Sequence, residues 1–252
     1  MGIAPSTRPG RPPMPSILPP PPGPFLSDAN YETGTANPRL RHDPGAGAWR
    51  SKPITAGAVA QRTAIQAVLG VPTMVYPGIN ATRHMQHYLN NTGRDYEIDL
   101  EDMIASVPTA KRAMIAEFRQ AQRFISGLPN GTHYFTSRTG ESAYNYKGES
   151  ADWFFAIGGY TYWGKGMAKI SAGTIGRRFE VDFEYHFYDR YNWDGGKKVT
   201  IGGIEVTDEF MGEFHRQGLA REFDCHGKIE RHFTWEGAAT PGEEAILKKP
   251  GR

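Results

Sequence analysis

Asp189, Tyr191, Asn192, Trp193 and Asp194 fall within six consecutive positions, and Gly195, Gly196, Lys197 and Lys198 follow them. Two carboxylates, a phenol, an amide and an indole in so short a stretch can do chemistry. Asp189 and Asp194 could hold a hard cation such as magnesium, with waters completing the octahedron. A metal beside a phosphate offsets the charge that develops as a P–O bond breaks. Tyr191 and Asn192 would orient a substrate, and Lys197 and Lys198 would attract an anionic one. His215, further along, titrates near neutrality and could act as general base or acid. Arg216 beside it is a further cationic group for substrate. The same cluster also suits an ordinary strand end, with its polar side chains accepting backbone N–H groups and Trp193 plugging the fold.

The element that must position this cluster is a strand over 178–188. Phe179, Val181, Phe183, Tyr185 and Phe187 share one phase, while Glu180, Asp182, Glu184, His186 and Tyr188 share the other. Period two over this length marks a half-buried strand. The alternation is expected to stop before Asp189. Upstream, Thr132–Ser137 reads as a strand and Asp152–Ile157 as either a strand or a buried helical turn. Tyr160–Trp163 and Met167–Ser171 read as a hairpin around Gly164–Lys165–Gly166. Downstream, Val199–Ile201 and Ile204–Val206 flank a Gly202–Gly203 hairpin turn. Thr207 caps a short helix that carries His215, and Glu222–Cys225 and Lys228–Trp235 are the last strands.

Residues 54–127 read as a small helical region. Thr55 caps a helix over Ala56–Leu69, Asn80 one over Ala81–Asn91, and Asp99 one over Leu100–Ser106. Pro108 opens the clearest helix, whose apolar stripe is Ala110, Met114, Phe118, Ala121 and Ile125. His84 and His87 share a face, which suits a polar surface better than a metal, because no acidic or cysteine partner sits at helical spacing. Residues 1–53 contain thirteen of the nineteen prolines and read as a disordered arm unable to join a sheet. Residues 237–252 read as a flexible tail.

Composition narrows the classes. The net charge of +2 makes no demand for a nucleic-acid partner. The single cysteine, Cys225, excludes an intrachain disulfide and reads as a small buried apolar residue. No segment has the apolar length of a transmembrane helix. The N-terminus lacks the pattern of a secretory signal peptide, so delivery outside the cell would take a non-classical route or lysis. Nucleotide-loop, zinc-protease and paired-cysteine motifs are absent.

The order of proline-rich arm, helical region and β-rich C-terminal part resembles colicin M and related bacteriocins. The family's active loop carries Asp-x-Tyr-Asp-aromatic-Asn and then His-Arg. Asp189, Tyr191 and Trp193 match the first aspartate, the tyrosine and the aromatic residue. Asn192 stands where the family has its second aspartate, and Asp194 where it has asparagine. Lys197 and Lys198 lie where the family continues toward His-Arg, and the nearby His-Arg pair is His215–Arg216 on the following helix. The similarity is concentrated in residues 165–235, and the C-terminal pattern is also similar to interbacterial polymorphic-toxin domains. It implies magnesium, a lipid II-like envelope precursor as substrate, delivery to a target cell envelope, and an immunity protein in the producer.

The expectation is therefore an α+β protein. It has a disordered arm (1–53), a helical region (54–127), a mostly antiparallel β-rich domain built as an open barrel or sandwich (128–236), and a tail (237–252). The expected function is an antibacterial toxin hydrolysing a phosphate-linked precursor. The alternative is a non-catalytic β-rich module of a virion or secretion apparatus, or a carbohydrate binder stacking sugars on Tyr160, Tyr162 and Trp163.

Overall fold

A computed structural model describes residues 30–71, 77–193, 198–201 and 204–249. Its spine is β6 (Arg177–Tyr191), antiparallel to β5 (Gly159–Ala172) on one side and to β9 (Phe223–Glu236) on the other. β3 (Gly131–Ser137) pairs with β5, and β1 (Tyr31–Thr33) pairs with β3. β4 (Glu141–Tyr144) also pairs with β5, and β2 (Tyr96–Glu97) lies parallel to β9 at the far edge. Among the described residues the two ends of this path, β1 and β2, do not pair with each other, so the sheet there is open and mixed and forms no barrel.

A helix covers the inner face, which corrects the expected barrel or sandwich to one open sheet backed by helices. All five stripe residues of α4 (Pro108–Gly127) are buried. Phe118 of α4 places its ring 4.1 Å from Phe233 and 5.3 Å from Phe183. The inward phase of β6, Phe179 to Phe187, is buried against it as the alternation requires. The α+β class stands.

Local signals place most helices. Thr55, Asp99 and Thr207 cap α1 (Ala56–Leu69), α3 (Leu100–Ser106) and α6 (Asp208–Arg216), each accepting a backbone N–H with its side chain. α2 (Ile79–Leu89) departs from expectation because Asn80 lies inside it. Asp152 of α5 (Ala151–Ala156) bonds its free N–H groups instead, at 2.7 Å from Ala81 and 3.2 Å from Asn80. α5 also settles the apolar run at 152–157 as helical, with Ser150 as its cap.

The expected hairpin at 164–166 is absent, and β5 runs through it. These glycines serve close approach. A Cβ on Gly166 would lie 2.0 Å from the Asp182 carbonyl oxygen, and one on Gly164 would lie 2.1 Å from Tyr31 Oη. Gly166→Ala is therefore expected to destabilise by about 1–3 kcal/mol, read as a lower midpoint in urea with an unchanged slope.

Both predicted loose ends need correction where they are described. Residues 30–53 belong to the folded body. Tyr31 is buried and donates to Glu117 at 2.6 Å. Beyond β1 the chain crosses the sheet as a strap, with Thr136 Oγ1 donating to the Ala36 carbonyl and His42 Nδ1 lying 2.8 Å from Tyr188 Oη. Ten of the thirteen prolines lie at or before Pro24, so an average over 1–53 hid a boundary. At the other end, α7 (Glu243–Leu247) buries Ile246, and Arg231 donates to the Ile246 and Leu247 carbonyls. β7 (Lys198–Ile201) and β8 (Ile204–Thr207) form the expected hairpin.

Candidate functional site

β6 continues through Asp189 to Tyr191, so the alternation persists beyond the point where the sequence reading ends it. Register with β9 is unbroken, with Asp189 opposite Cys225 and Tyr191 opposite Phe223. Asp189 and Tyr191 therefore keep the inward phase of the core aromatics, one and two steps past Phe187. There the helical cover gives way to a cavity of about 390 Å³. Asp189, Tyr191, Asn192 and Trp193 line it together with Tyr160 of β5, Phe154 and Ile157 from the α5 region, and Asp208 of α6. Arg190 lines it too, and Arg41 and Asp43 reach it from the strap.

An aromatic base fixes this end of β6. The Tyr191 ring stacks on Phe223 with centroids 4.9 Å apart and meets Trp193 edge-on at 5.6 Å. Tyr88 lies 6.0 Å from Tyr191 and donates its hydroxyl to the Met211 carbonyl. His84 packs against Tyr96 and Tyr191, and burial pulls its pKa down to about 4, so it stays neutral among the rings. His84 is thus a buried packing residue and not the surface histidine expected.

Three cavity-lining side chains carry donors with no acceptor among the described residues: Tyr160 Oη, Asn192 Nδ2 and Trp193 Nε1. Burial pushes the Tyr160 phenol up, so it keeps its proton. Uncompensated donors of this kind are uncommon, because each costs about 1–3 kcal/mol. On the outer phase, Arg190 pairs with Asp224 at 3.0 Å, which in turn accepts from Tyr188 Oη at 3.3 Å.

The expected site residues are only partly gathered here. Asp189, Tyr191 and Asn192 share the cavity. Asp194 and Lys197 lie outside the described residues, as does the side chain of Lys198. His215 borders a second, smaller cavity of about 190 Å³. Its Nδ1 accepts the Glu222 N–H at 3.2 Å, which puts the ring proton on Nε2, and Nε2 donates to the Gly47 carbonyl at 2.9 Å. Arg216 donates to Glu213 and to the Ala46 carbonyl. The Lys52 ammonium and the Arg216 guanidinium, both donating to it, hold the Glu213 carboxyl down at about 2.

No protein-family profile matches the chain, and no curated protein does. Solved structures similar to it include the following two. PaeM, a colicin M-like bacteriocin produced by Pseudomonas aeruginosa, is 16% identical with a TM-score of 0.39, over 68% of this chain and 58% of its own. Pectocin M2 is 10% identical with a TM-score of 0.26, over 64% and 51%. The chain has a weak colicin M-like resemblance. It spans little more than half the length of either protein, and likeness at this level establishes no residue-by-residue correspondence.

The donor set at the cavity can be weighed against magnesium. Asp43, Asp189 and Asp208 border it, all hard oxygen donors with no thiolate among them. Among the described residues, no three His, Cys, Asp or Glu side chains come together as a metal cluster. Magnesium commonly takes only one or two carboxylates, with water and substrate phosphate in the remaining positions. Among the described residues these carboxylates form no all-protein cage.

Arg41, Asp43, Arg190, Asp208 and Glu222 escaped the sequence reading. Arg41 and Asp43 lie in the segment that reads as a disordered arm, where the falling proline density after Pro24 is the available signal. Asp208 and Glu222 carry no signal beyond ordinary helix-start and strand-start composition.

Proposed function

We propose that the chain is an antibacterial toxin that hydrolyses a phosphate-linked precursor of the cell envelope, of the lipid II kind. The observation supporting this most directly is the convergence of Asp189, Tyr191, Asn192 and Trp193 on one cavity that two arginines, Arg41 and Arg190, also border. Asp189, with Asp194, would hold a magnesium ion. That ion would supply positive charge against the phosphate oxygens as the P–O bond breaks. The guanidiniums would attract the anionic group, and Asn192 and Tyr160 would donate to its oxygens. Lys197 and Lys198 are proposed to add to the same field. His215 is proposed as an anchor for the strap, because both its nitrogens are bonded to main chain. Tyr191 would serve as the aromatic floor beneath the substrate.

The carbohydrate-binding alternative loses its motivating feature. Trp163 is 4% exposed and stacks on His186 at 5.1 Å, and Tyr160 and Tyr162 are also buried. Among the described residues no helix is long and apolar enough to cross a membrane. Action from outside the inner membrane, delivery by a non-classical route and an immunity protein in the producer belong to the same proposal.

Expression of the chain in the periplasm and, separately, in the cytoplasm of a susceptible bacterium tests it. Lysis only from the periplasm, with loss of lipid-linked precursor, is the expected result. Normal growth in both compartments with stable protein present would overturn the reading.

A further inference from the structure

We infer that Glu222 is a positioning residue of the proposed site, whose buried carboxylate holds both polar walls of the cavity in place. The inference rests on the function proposed above. Glu222 does not line the main cavity, and its side chain is 0% exposed. Its Oε1 accepts the Ala46 N–H at 2.9 Å and the Trp193 N–H at 3.2 Å. Ala46 follows Arg41 and Asp43 on the strap. Trp193 follows Asn192 at the end of β6. Two chain segments far apart in sequence thus share one acceptor oxygen.

The surroundings are shaped to the same end. Gly45 has φ +60, and a Cβ there would lie 2.1 Å from Glu222 Oε2, so only glycine lets the strap come this close. The Glu222 backbone N–H holds His215, whose other nitrogen holds the Gly47 carbonyl, so the strap is gripped at Ala46 and Gly47 from one residue. Gly212 of α6 lets that helix pack on both segments, because a Cβ would lie 2.9 Å from the Trp193 carbonyl oxygen and 3.1 Å from Ala46 Cβ. Oε2 makes no hydrogen bond among the described residues and stands 3.7 Å from the Arg190 guanidinium, itself part of the cavity wall. A carboxylate in this place sets the distance between the strap's Arg41 and the Asn192–Trp193 corner. Any ligand held by both depends on that distance.

The test compares Glu222→Ala and Glu222→Gln with Gly166→Ala, a destabilised variant remote from the cavity. Amide hydrogen exchange at Ala46 and Trp193 reads the clasp, and kcat on a purified lipid-linked precursor reads the site. Glu222→Ala is expected to lose protection at both amides and at least tenfold in kcat with little change in KM. Glu222→Gln, which keeps an acceptor oxygen, should recover most of the protection and at least part of the kcat loss. Gly166→Ala should keep both. A folded Glu222→Ala protein with wild-type kcat would overturn the inference. Wild-type protein inert on the precursor and harmless in the periplasm would instead remove the proposed function. The clasp is then decided by exchange alone: joint loss at Ala46 and Trp193 upholds it, and loss at one or neither overturns it.

Discussion

Asp189→Asn is expected to lower killing by about 10²–10³-fold, on the order seen when a charge-stabilising group is lost from a reaction centre. The substitution keeps shape and removes charge, so it separates chemistry from packing. Asp189 sits on the inward phase of β6 where the core ends and the cavity begins, with Tyr191 stacked on Phe223 two residues on. The strand pairs through its backbone there, and asparagine matches the carboxylate in size and shape. The unfolding midpoint should move by no more than about 3 °C, equivalent to about 1 kcal/mol for a chain of this size. Dose–response killing, with a parallel thermal melt, makes the comparison. Undiminished killing by the folded variant would rule out a catalytic role for this carboxylate.

Glu117→Ala is expected to destabilise by about 3 kcal/mol, since it opens a core cavity and strands a buried hydroxyl. Glu117 Oε1 accepts from Tyr31 Oη at 2.6 Å, Ser137 Oγ at 2.7 Å and Gly164 N at 3.0 Å. Ser137 and Gly164 also bond each other, so Tyr31 loses most when the carboxyl goes. β1, and with it the start of the strap, should loosen first. Glu117→Gln separates the charge from the hydrogen bonds. Burial raises the Glu117 pKa, outweighing the three donors that favour the anion. A raised carboxyl pKa means the folded protein binds the proton more tightly than the unfolded chain. Stability from this group is therefore present below the unfolded value of about 4.3 and is lost as pH rises through the folded value. Relative to Glu117→Gln, the wild type should lose ground between pH 4 and pH 8. Parallel melts across that range that stay a constant distance apart would contradict a charge buried at this position.

The parts legible in the sequence are those governed by near neighbours. Alternation along β6 predicted its buried phase, and the stripe of α4 predicted the residues that cover it. Thr55, Asp99, Ser150 and Thr207 cap helices a few residues away, and all but Ser150 were anticipated. The misses involve partners distant in sequence. Gly164 and Gly166 look like turn glycines until Tyr31 and the Asp182 carbonyl are seen against them. Asn80 looks like a cap until Asp152 takes that role from another helix.

The candidate site divides the same way. The sequence by itself determined which side chains crowd the end of β6, because composition within six residues needs no fold to read. Only the tertiary structure decided that Asp189 faces inward into a cavity, that His215 is bound to the strap's main chain instead of facing it, and that Arg41 and Asp43 arrive from a segment read as disordered. Side-chain identity is a local property of the chain. The distance between two side chains is set by every element packed between them.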